Sequence, residues 1–546
     1  MRYLMTGKQA AEIDRFTIEE IGVPQLVLME RASLAVAEEV TALVDDRKKD
    51  RILVVAESGN NGGDGVAAAR ILHQRGYRVE IWALNGINRR SEAYEKQVDL
   101  AGKAGVPFVT IGSSPEQTAE KDTGISPEDQ QNNSGYRVIM DAIFGVGLTR
   151  EVKGVQRDAV EWINRQREEY GAEVLAVDIP TGISSDNGDV LGTAVHADRT
   201  VTFGFEKVGM RFAKESCGKV SVKEIGFFLP AGSAGNGRGM EEAPSKKEDS
   251  ERAGGRELYY TYEKEDIRTL LPVRSMDGNK GSFGRVLVIA GSKDISGAAY
   301  LVAEAAYRMG CGLVKVVTHE SNRTALQKLL PEALLQCYDD TEKNAEGLGE
   351  AILWASAIII GPGIGRTETA RNMLEKVLRE AVCPVVADAD AVNLLAEHTE
   401  LLTPGKRQLI LTPHMLEMTR LTEKTFHPER NALERLRKER IRIVRETAER
   451  YQATVVLKDA CTVVADAGAS GIYFNSSGCD AMAKGGSGDV LTGVIAALIA
   501  QGMTVAGAAR LGVYLHGLAG EKAAELLGSY SVLAGDLIRM LPETFR

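Results

Sequence analysis

The chain has 546 residues, 44% hydrophobic and 26% charged, with a formal net charge of −10. At about 150 residues per domain that length calls for more than one core, and the acidic balance argues against a general nucleic-acid or anionic-membrane surface, so neither partner is expected. The six cysteines form no C-x-x-C pair, residues 1–15 contain no apolar signal core, and no stretch reaches the about 18 uncharged apolar residues of a membrane span, so a cytoplasmic protein is expected.

Residues 8–50 place apolar side chains at helical spacing (Ala11, Ile13, Phe16, Ile18, then 26–44) and read as two helices before any strand. Residues 51–56 have a buried-strand pattern. They are followed by Ser58-Gly59-Asn60-Asn61-Gly62-Gly63-Asp64-Gly65, a helical run over 66–76 and a second strand over 77–84. This is a βαβ unit, whose first turn is where an open α/β sheet binds nucleotides. The turn is not G-x-G-x-x-G. Its two asparagine carbonyls and the Asp64 carboxylate suit a hard cation beside a phosphate.

Two further strands end alike, 137–140 running into Asp141-Ala142-Ile143-Phe144-Gly145-Val146-Gly147 and 174–177 into Asp178-Ile179-Pro180-Thr181-Gly182. In a parallel sheet such ends face one crevice, so Asn61, Asp141, Asp178 and Thr181 can meet. One strand-end aspartate is more often a turn former; three glycine-flanked turns on one rim point to a site.

These three motifs closely resemble the NAD(P)H-hydrate epimerase family over residues 1–230. The resemblance implies a Rossmann-like three-layer domain that interconverts the R and S hydrates of NADH and NADPH (NADHX and NADPHX) with a potassium ion beside the substrate. Carried over by motif, the hydrate lies on Asn60, Asn61, Gly62, Gly63 and Asp64, on Gly145, Val146, Gly147, Leu148, Thr149, Arg150 and Glu151, and on Asp178. The ion is held by Asn61, Asp141 and Thr181. Inversion can proceed by loss and return of the hydroxyl, which gives Asp178 a possible catalytic role as proton shuttle.

Residues 231–256 contain no Ile, Leu, Val, Phe, Tyr or Trp and many glycines among mixed charges, a composition expected of a flexible linker between domains 1–230 and 257–546. The second half alternates strand and helix patterns again, from Lys280-Gly281-Ser282-Phe283-Gly284 and a small-residue helix over 297–309 onward, as in another α/β sheet. Glycine turns or polar groups end its strands at Gly361-Pro362-Gly363-Ile364-Gly365, Asp388-Ala389-Asp390 and Thr412-Pro413-His414. Near the C-terminus, Ala483-Lys484-Gly485-Gly486-Ser487-Gly488-Asp489 precedes an apolar run over 494–500. Bare amides at a helix start cradle an anion, and Asp489 in the first turn places a general base beside it. That pairing suggests phosphoryl transfer to a hydroxyl, although Gly, Ser and Asp also cap helices for structural reasons alone.

The motifs of this half, with Lys458-Asp459-Ala460-Cys461-Thr462, resemble the ADP-dependent (S)-NAD(P)H-hydrate dehydratase family in its motif order. The resemblance implies a ribokinase-like α/β domain. ADP, or its product AMP, then sits on Lys458, Asp459, Ala460, Cys461, Thr462 and Gly488, with Mg2+ accompanying the nucleotide, and the hydrate touches Ala298, Gly363, His414 and catalytic Asp489. Cys479 stands where the family is expected to have Asn. Together the halves imply nicotinamide-nucleotide repair: epimerisation, then dehydration of the S form to NAD(P)H with ADP converted to AMP and phosphate. A homo-oligomer with small-molecule partners is expected. Two alternatives stay open from the residues: a vitamin-precursor or sugar kinase using the same anion turn, and a non-catalytic nucleotide-binding N-terminal half.

Overall fold

The computed structural model describes residues 1–84, 90–111, 135–229, 257–339, 347–403, 408–426, 431–469 and 471–545. The chain forms two compact units, Tyr3–Asn236 and Gly237–Arg546 with Met1–Arg2. The expected linker, 231–256, lies outside the described residues.

In the first unit the strands stand in the order Phe108–Ile111, Arg78–Leu84, Arg51–Ala56, Val138–Ala142, Glu173–Val177, Arg199–Phe203 and Lys219–Lys223, each parallel to its neighbours. Strand order reverses between Arg51–Ala56 and Val138–Ala142, so a crevice opens beyond their carboxyl ends. Every residue of Arg51–Ala56 is buried, as a sheet covered on both faces requires. Alternate side chains leave on opposite faces. Ile52 and Val54 join Val36, Leu72 and Met140 in one core, while Leu53 and Val55 join Trp82, Ile139 and Trp162 in the other.

Two expectations are corrected here. The first element is a strand, Arg2–Met5, ahead of the helices Gly7–Arg15 and Gln25–Thr41. It pairs in parallel with Glu206–Lys207, a partner far along the chain that a four-residue pattern cannot announce. The helix expected over 66–76 spans Asn60–Gln74, so the asparagines and glycines are its first turn and not a loop before it. Gly62 permits this, because a Cβ there would collide with the Glu57 carbonyl oxygen.

In the second unit the order is Leu334–Tyr338, Leu313–His319, Arg285–Ile289, Ala357–Ile360, Val385–Ala387, Leu409–Leu411 and Ala453–Leu457, all parallel. Val463–Asp466 and Gly471–Phe474 follow antiparallel, and Leu258–Thr261 lies parallel beside the last. Here the order reverses between Arg285–Ile289 and Ala357–Ile360, again opening a crevice at the strand ends. The helices Gly297–Arg308 and Ser487–Ala500 pack closely: a Cβ on Gly493 would run into the Val302 carbonyl and lie 2.9 Å from the Ala305 Cβ. Among the described residues no helix is long and apolar enough to cross a membrane.

Candidate active sites

In the first unit the turns after Val138–Ala142 and Glu173–Val177 meet through Asp141 and Thr181. Asp141 is fully buried near the end of Val138–Ala142. Its Oδ1 accepts from the Thr181 hydroxyl at 2.7 Å and from the Ile143 amide at 3.2 Å, and its Oδ2 accepts from the Thr181 amide at 2.7 Å. Burial pushes the Asp141 carboxyl up to about 6 against the opposing pull of these bonds. Asn61 reaches the same place, since a Cβ on Gly145 would lie 3.3 Å from the Asn61 Oδ1. Both polar atoms of the Asn61 amide are buried and, among the described residues, without a hydrogen-bond partner. An orphaned buried amide is costly, about 1–3 kcal/mol, and calls for a ligand. An oxygen set of one amide, one carboxylate and one hydroxyl is the donor chemistry of a hard cation, so Asn61, Asp141 and Thr181 fit the potassium expected from the resemblance. The loop of Gly145 to Glu151 lies on the rim, with Gly147, Thr149, Arg150 and Glu151 exposed.

Asp178 follows the strand Glu173–Val177 in a left-handed conformation, φ 66°, with its amide bonded to the Val201 carbonyl at 2.7 Å. Its Oδ1 accepts from the Thr202 hydroxyl at 3.0 Å, from the Phe203 amide at 3.3 Å and from the Lys207 ammonium. Lys207, 2% exposed, is absent from the sequence expectation. Its only signal was a charged residue inside Phe205-Glu206-Lys207-Val208, next to a strand. Asp64 lies one turn into Asn60–Gln74. Burial holds its carboxyl well above the ordinary range, reinforced by the charges of Asp178 and Asp14 and opposed by Lys207.

In the second unit Asp489 falls in the first turn of Ser487–Ala500, behind Gly486 in a left-handed cap, φ 88°. Burial pushes its carboxyl up to about 6, helped by the negative charge of Asp388 and opposed by Lys458. Asp388, 1% exposed, accepts from the Lys458 ammonium at 2.6 Å and the Thr492 hydroxyl at 2.7 Å. Burial works to raise Asp388, yet the Lys458 charge and these bonds outweigh it and hold the carboxyl below its usual range. A Cβ on Gly488 would stand 3.3 Å from the Lys458 Nζ, so Gly488, Lys458 and Asp388 form one cluster beside Asp489. Sequence reasoning saw Asp388 only as a polar strand end and passed over Thr492.

His414 reaches the cluster through a bridge to Lys458, whose amide donates to the Pro413 carbonyl at 2.8 Å. Its Nδ1 accepts from the Leu416 and Glu417 amides at 3.1 and 3.3 Å, which assigns the proton to Nε2. Burial, then the charges of Lys458 and Arg420, lower the imidazole and keep it neutral near pH 7. Gly363 and Ala298 come together, a Cβ on Gly363 lying 3.2 Å from the Ala298 Cβ. The Gly361–Gly365 turn is tied to the same rim, because the Gly365 amide donates to Asp390 at 2.9 Å. Of the expected nucleotide segment, Asp459 is paired with Arg440 at 3.1 Å and the Cys461 side chain is buried toward the Asn475 carbonyl. Ala460 is exposed, and Thr462 is buried with its hydroxyl on the Asp459 carbonyl at 3.3 Å. Cys479 is half-buried ahead of the short turn Asp480–Met482.

Residues 286–543 match the NAD(P)H-hydrate dehydratase family, and residues 25–209 match the family described as YjeF-related protein N-terminus. A bifunctional NAD(P)H-hydrate repair enzyme of Moorella thermoacetica is 33% identical over 100% of this chain and 97% of its own. The chain belongs to that family. A second member, from Thermofilum pendens, is also 33% identical, over 98% of this chain and 94% of its own. Among solved structures, an ADP/ATP-dependent NAD(P)H-hydrate dehydratase of Bacillus subtilis, co-crystallised with ATP/Mg2+, is 32% identical over 52% of this chain and 97% of that one, with a TM-score of 0.45. The family membership agrees with the expected fold, a Rossmann-like unit followed by a ribokinase-like α/β unit.

Proposed function

We infer that the first crevice epimerises the R and S hydrates of NADH and NADPH, and that the second dehydrates the S form at the expense of ADP, giving NAD(P)H, AMP and phosphate. The observation that carries this reading is Asp489: an acid raised to about 6 at a helix N-terminus, beside an Asp388–Lys458 pair whose charges already cancel. Such an acid is ionised at pH 7 yet basic enough to take a proton from a hydroxyl. It removes the hydrate's hydroxyl proton, that oxygen attacks the terminal phosphoryl group of ADP, and AMP leaves. The glycine-rich turn meets the charge on the transferring group with backbone amides. The ring nitrogen's lone pair then expels phosphate, and loss of a proton from the neighbouring carbon restores the dihydropyridine. Lys458 to Thr462 and Gly488 bind the nucleotide, while Gly363, Ala298 and neutral His414 bind the hydrate.

Mg2+ would come with the nucleotide and would offset charge on its phosphates. Asn61, Asp141 and Thr181 would hold the potassium, which would supply positive charge to the epimerase crevice. The enzyme works in the cytoplasm. A homo-oligomer is expected, and the exposed Leu26 and Val27 are apolar surface that its interface would bury.

The test is to incubate mixed R and S hydrates with the protein, ADP and KCl, following dihydropyridine absorbance and released phosphate. Complete recovery faster than spontaneous epimerisation is expected. Recovery that stops at the S fraction removes the epimerase, and a stable phosphorylated product without released phosphate makes the second half a kinase.

A further inference from the structure

Asp178 is the strand-end acid that the sequence offers as proton shuttle, but its surroundings are those of a fixed anion. Three donors converge on Oδ1: the Thr202 hydroxyl, the Phe203 amide and the Lys207 ammonium. Lys207 has few other partners; its ammonium bonds the Thr202 hydroxyl at 2.7 Å and the Phe203 carbonyl at 3.4 Å, all out of solvent. The adjacent acid does not compete for it, because Glu206 is paired with Arg211 at 2.8 Å. Three buried donors already share that one oxygen, so using Asp178 to carry a proton in each turnover would break the set that holds it.

Asp64 presents the opposite case. Its backbone is pinned, the carbonyl accepting from the Ser33 hydroxyl at 2.9 Å, while no donor among the described residues bonds its carboxyl. The charged groups facing it are Asp178 beyond Glu173–Val177, Asp14 on the helix Gly7–Arg15, and Lys207. Asp14 is itself raised, by burial first and by Asp178 second. Three carboxyls and one ammonium in one place cannot all be ionised cheaply, and when titratable neighbours are pushed apart in this way one becomes the acid and another stays the anion.

Resting on the epimerase reading of this crevice, we propose that Lys207 is a positioning residue that locks Asp178 as an anion, and that Asp64 is the group that moves the proton. In the forward half-step the Asp64 proton passes to the substrate hydroxyl oxygen, and the C–O bond breaks with its electron pair going to oxygen as water leaves. The ring nitrogen's lone pair forms a C=N bond, and the resulting cation faces the Asp178 anion. On return, water adds to the opposite face, the lone pair goes back to nitrogen, and the extra proton passes to solvent, from which Asp64 is reprotonated. Nothing is oxidised or reduced.

The experiment uses the full-length chain, with dehydration of pure S hydrate by the other half as an internal check that each variant is folded. D64N is expected to lower epimerase kcat about 10²-fold or more with KM within about threefold, the usual size of an acid–base contribution. K207M removes the positive charge that opposes the rise of Asp64, so the epimerase pH profile moves about one unit to higher pH; K207R brings it back. The proposal is overturned if D64N keeps wild-type kcat, or if K207M scales activity equally at every pH. Should K207M lose the dehydratase check, D64N and K207R decide alone, K207R being expected to retain the wild-type profile and overturning the lock if it does not. A wild-type protein that equilibrates no hydrates sinks the epimerase reading itself, a result recognisable because it precedes any variant.

Discussion

The two crevices are built alike and commit their acids differently. In each, a doubly wound sheet reverses strand order, and one buried aspartate is tied to one lysine: Asp178 to Lys207 in the first, Asp388 to Lys458 in the second. In each, a second aspartate near the start of a glycine-rich helix has a raised carboxyl, Asp64 and Asp489. In each, the charge of the tied acid helps to raise the untied one. Motif position alone picks the untied acid in the second crevice and the tied one in the first. A strand-end aspartate therefore becomes chemically legible only when its hydrogen-bond partners are known.

The largest expected effect breaks the second crevice outright. D489N should lower dehydratase kcat about 10²- to 10⁴-fold with ADP binding retained, as loss of a general base does; single-turnover phosphate release measures it. An unaffected rate would leave the raised carboxyl without a role.

Next, N61L should weaken potassium activation of the epimerase about tenfold or more, read from KCl titrations against NaCl. The wild-type chain sharpens this point through pH. The Asp141 carboxyl is held up to about 6 in the folded state, above its unfolded value, so proton-linked stability is lost as pH rises through about 6. Potassium at the proposed site would replace that proton. Its protection against thermal unfolding should be larger at pH 8 than at pH 5, and equal protection would place the ion elsewhere.

A smaller effect concerns the tied pair of the second crevice. The acidic limb of dehydratase kcat should fall near pH 6, because Asp489 must be ionised and is pushed up to about 6. D388N removes a like charge and frees the Lys458 ammonium, both of which lower the Asp489 carboxyl, so the limb moves to lower pH. K458M does the reverse. Movement of both variants in one direction would mean the pair acts through packing and not charge.

The smallest expected effect is that of G488A, whose new Cβ would stand 3.3 Å from the Lys458 Nζ. That lysine tip can shift by a few tenths of an ångström, and alanine suits a helix better than glycine. The melting temperature should therefore hold while KM for ADP rises about threefold.

Much was readable along the chain. Short apolar runs closed by glycine and aspartate mark Arg51–Ala56, Val138–Ala142, Glu173–Val177 and Ala357–Ile360, and the first turn of Ser487–Ala500 with Asp489 in it follows from local chemistry alone. Such signals survive because strand burial, glycine turns and helix starts depend on neighbours a few residues away. The strand Arg2–Met5 did not show itself, since its stabilising partner Glu206–Lys207 is remote in sequence. The early start of Asn60–Gln74 was hidden too, because two asparagines and two glycines have poor helix propensity and are held by packing against Glu57 and Ser33.

The residues themselves determined two α/β units, their glycine-lined turns and the acids that stand on them, because each of these is encoded by local pattern. Which acid is paired with a lysine, which amide has no partner among the described residues, and which carboxyl is raised by its neighbours were decided only when the sheets brought distant segments into contact. Charge and burial act through space and not along the chain, so Lys207 found Asp178, Lys458 found Asp388, and Thr181 met Asp141 only in the folded protein.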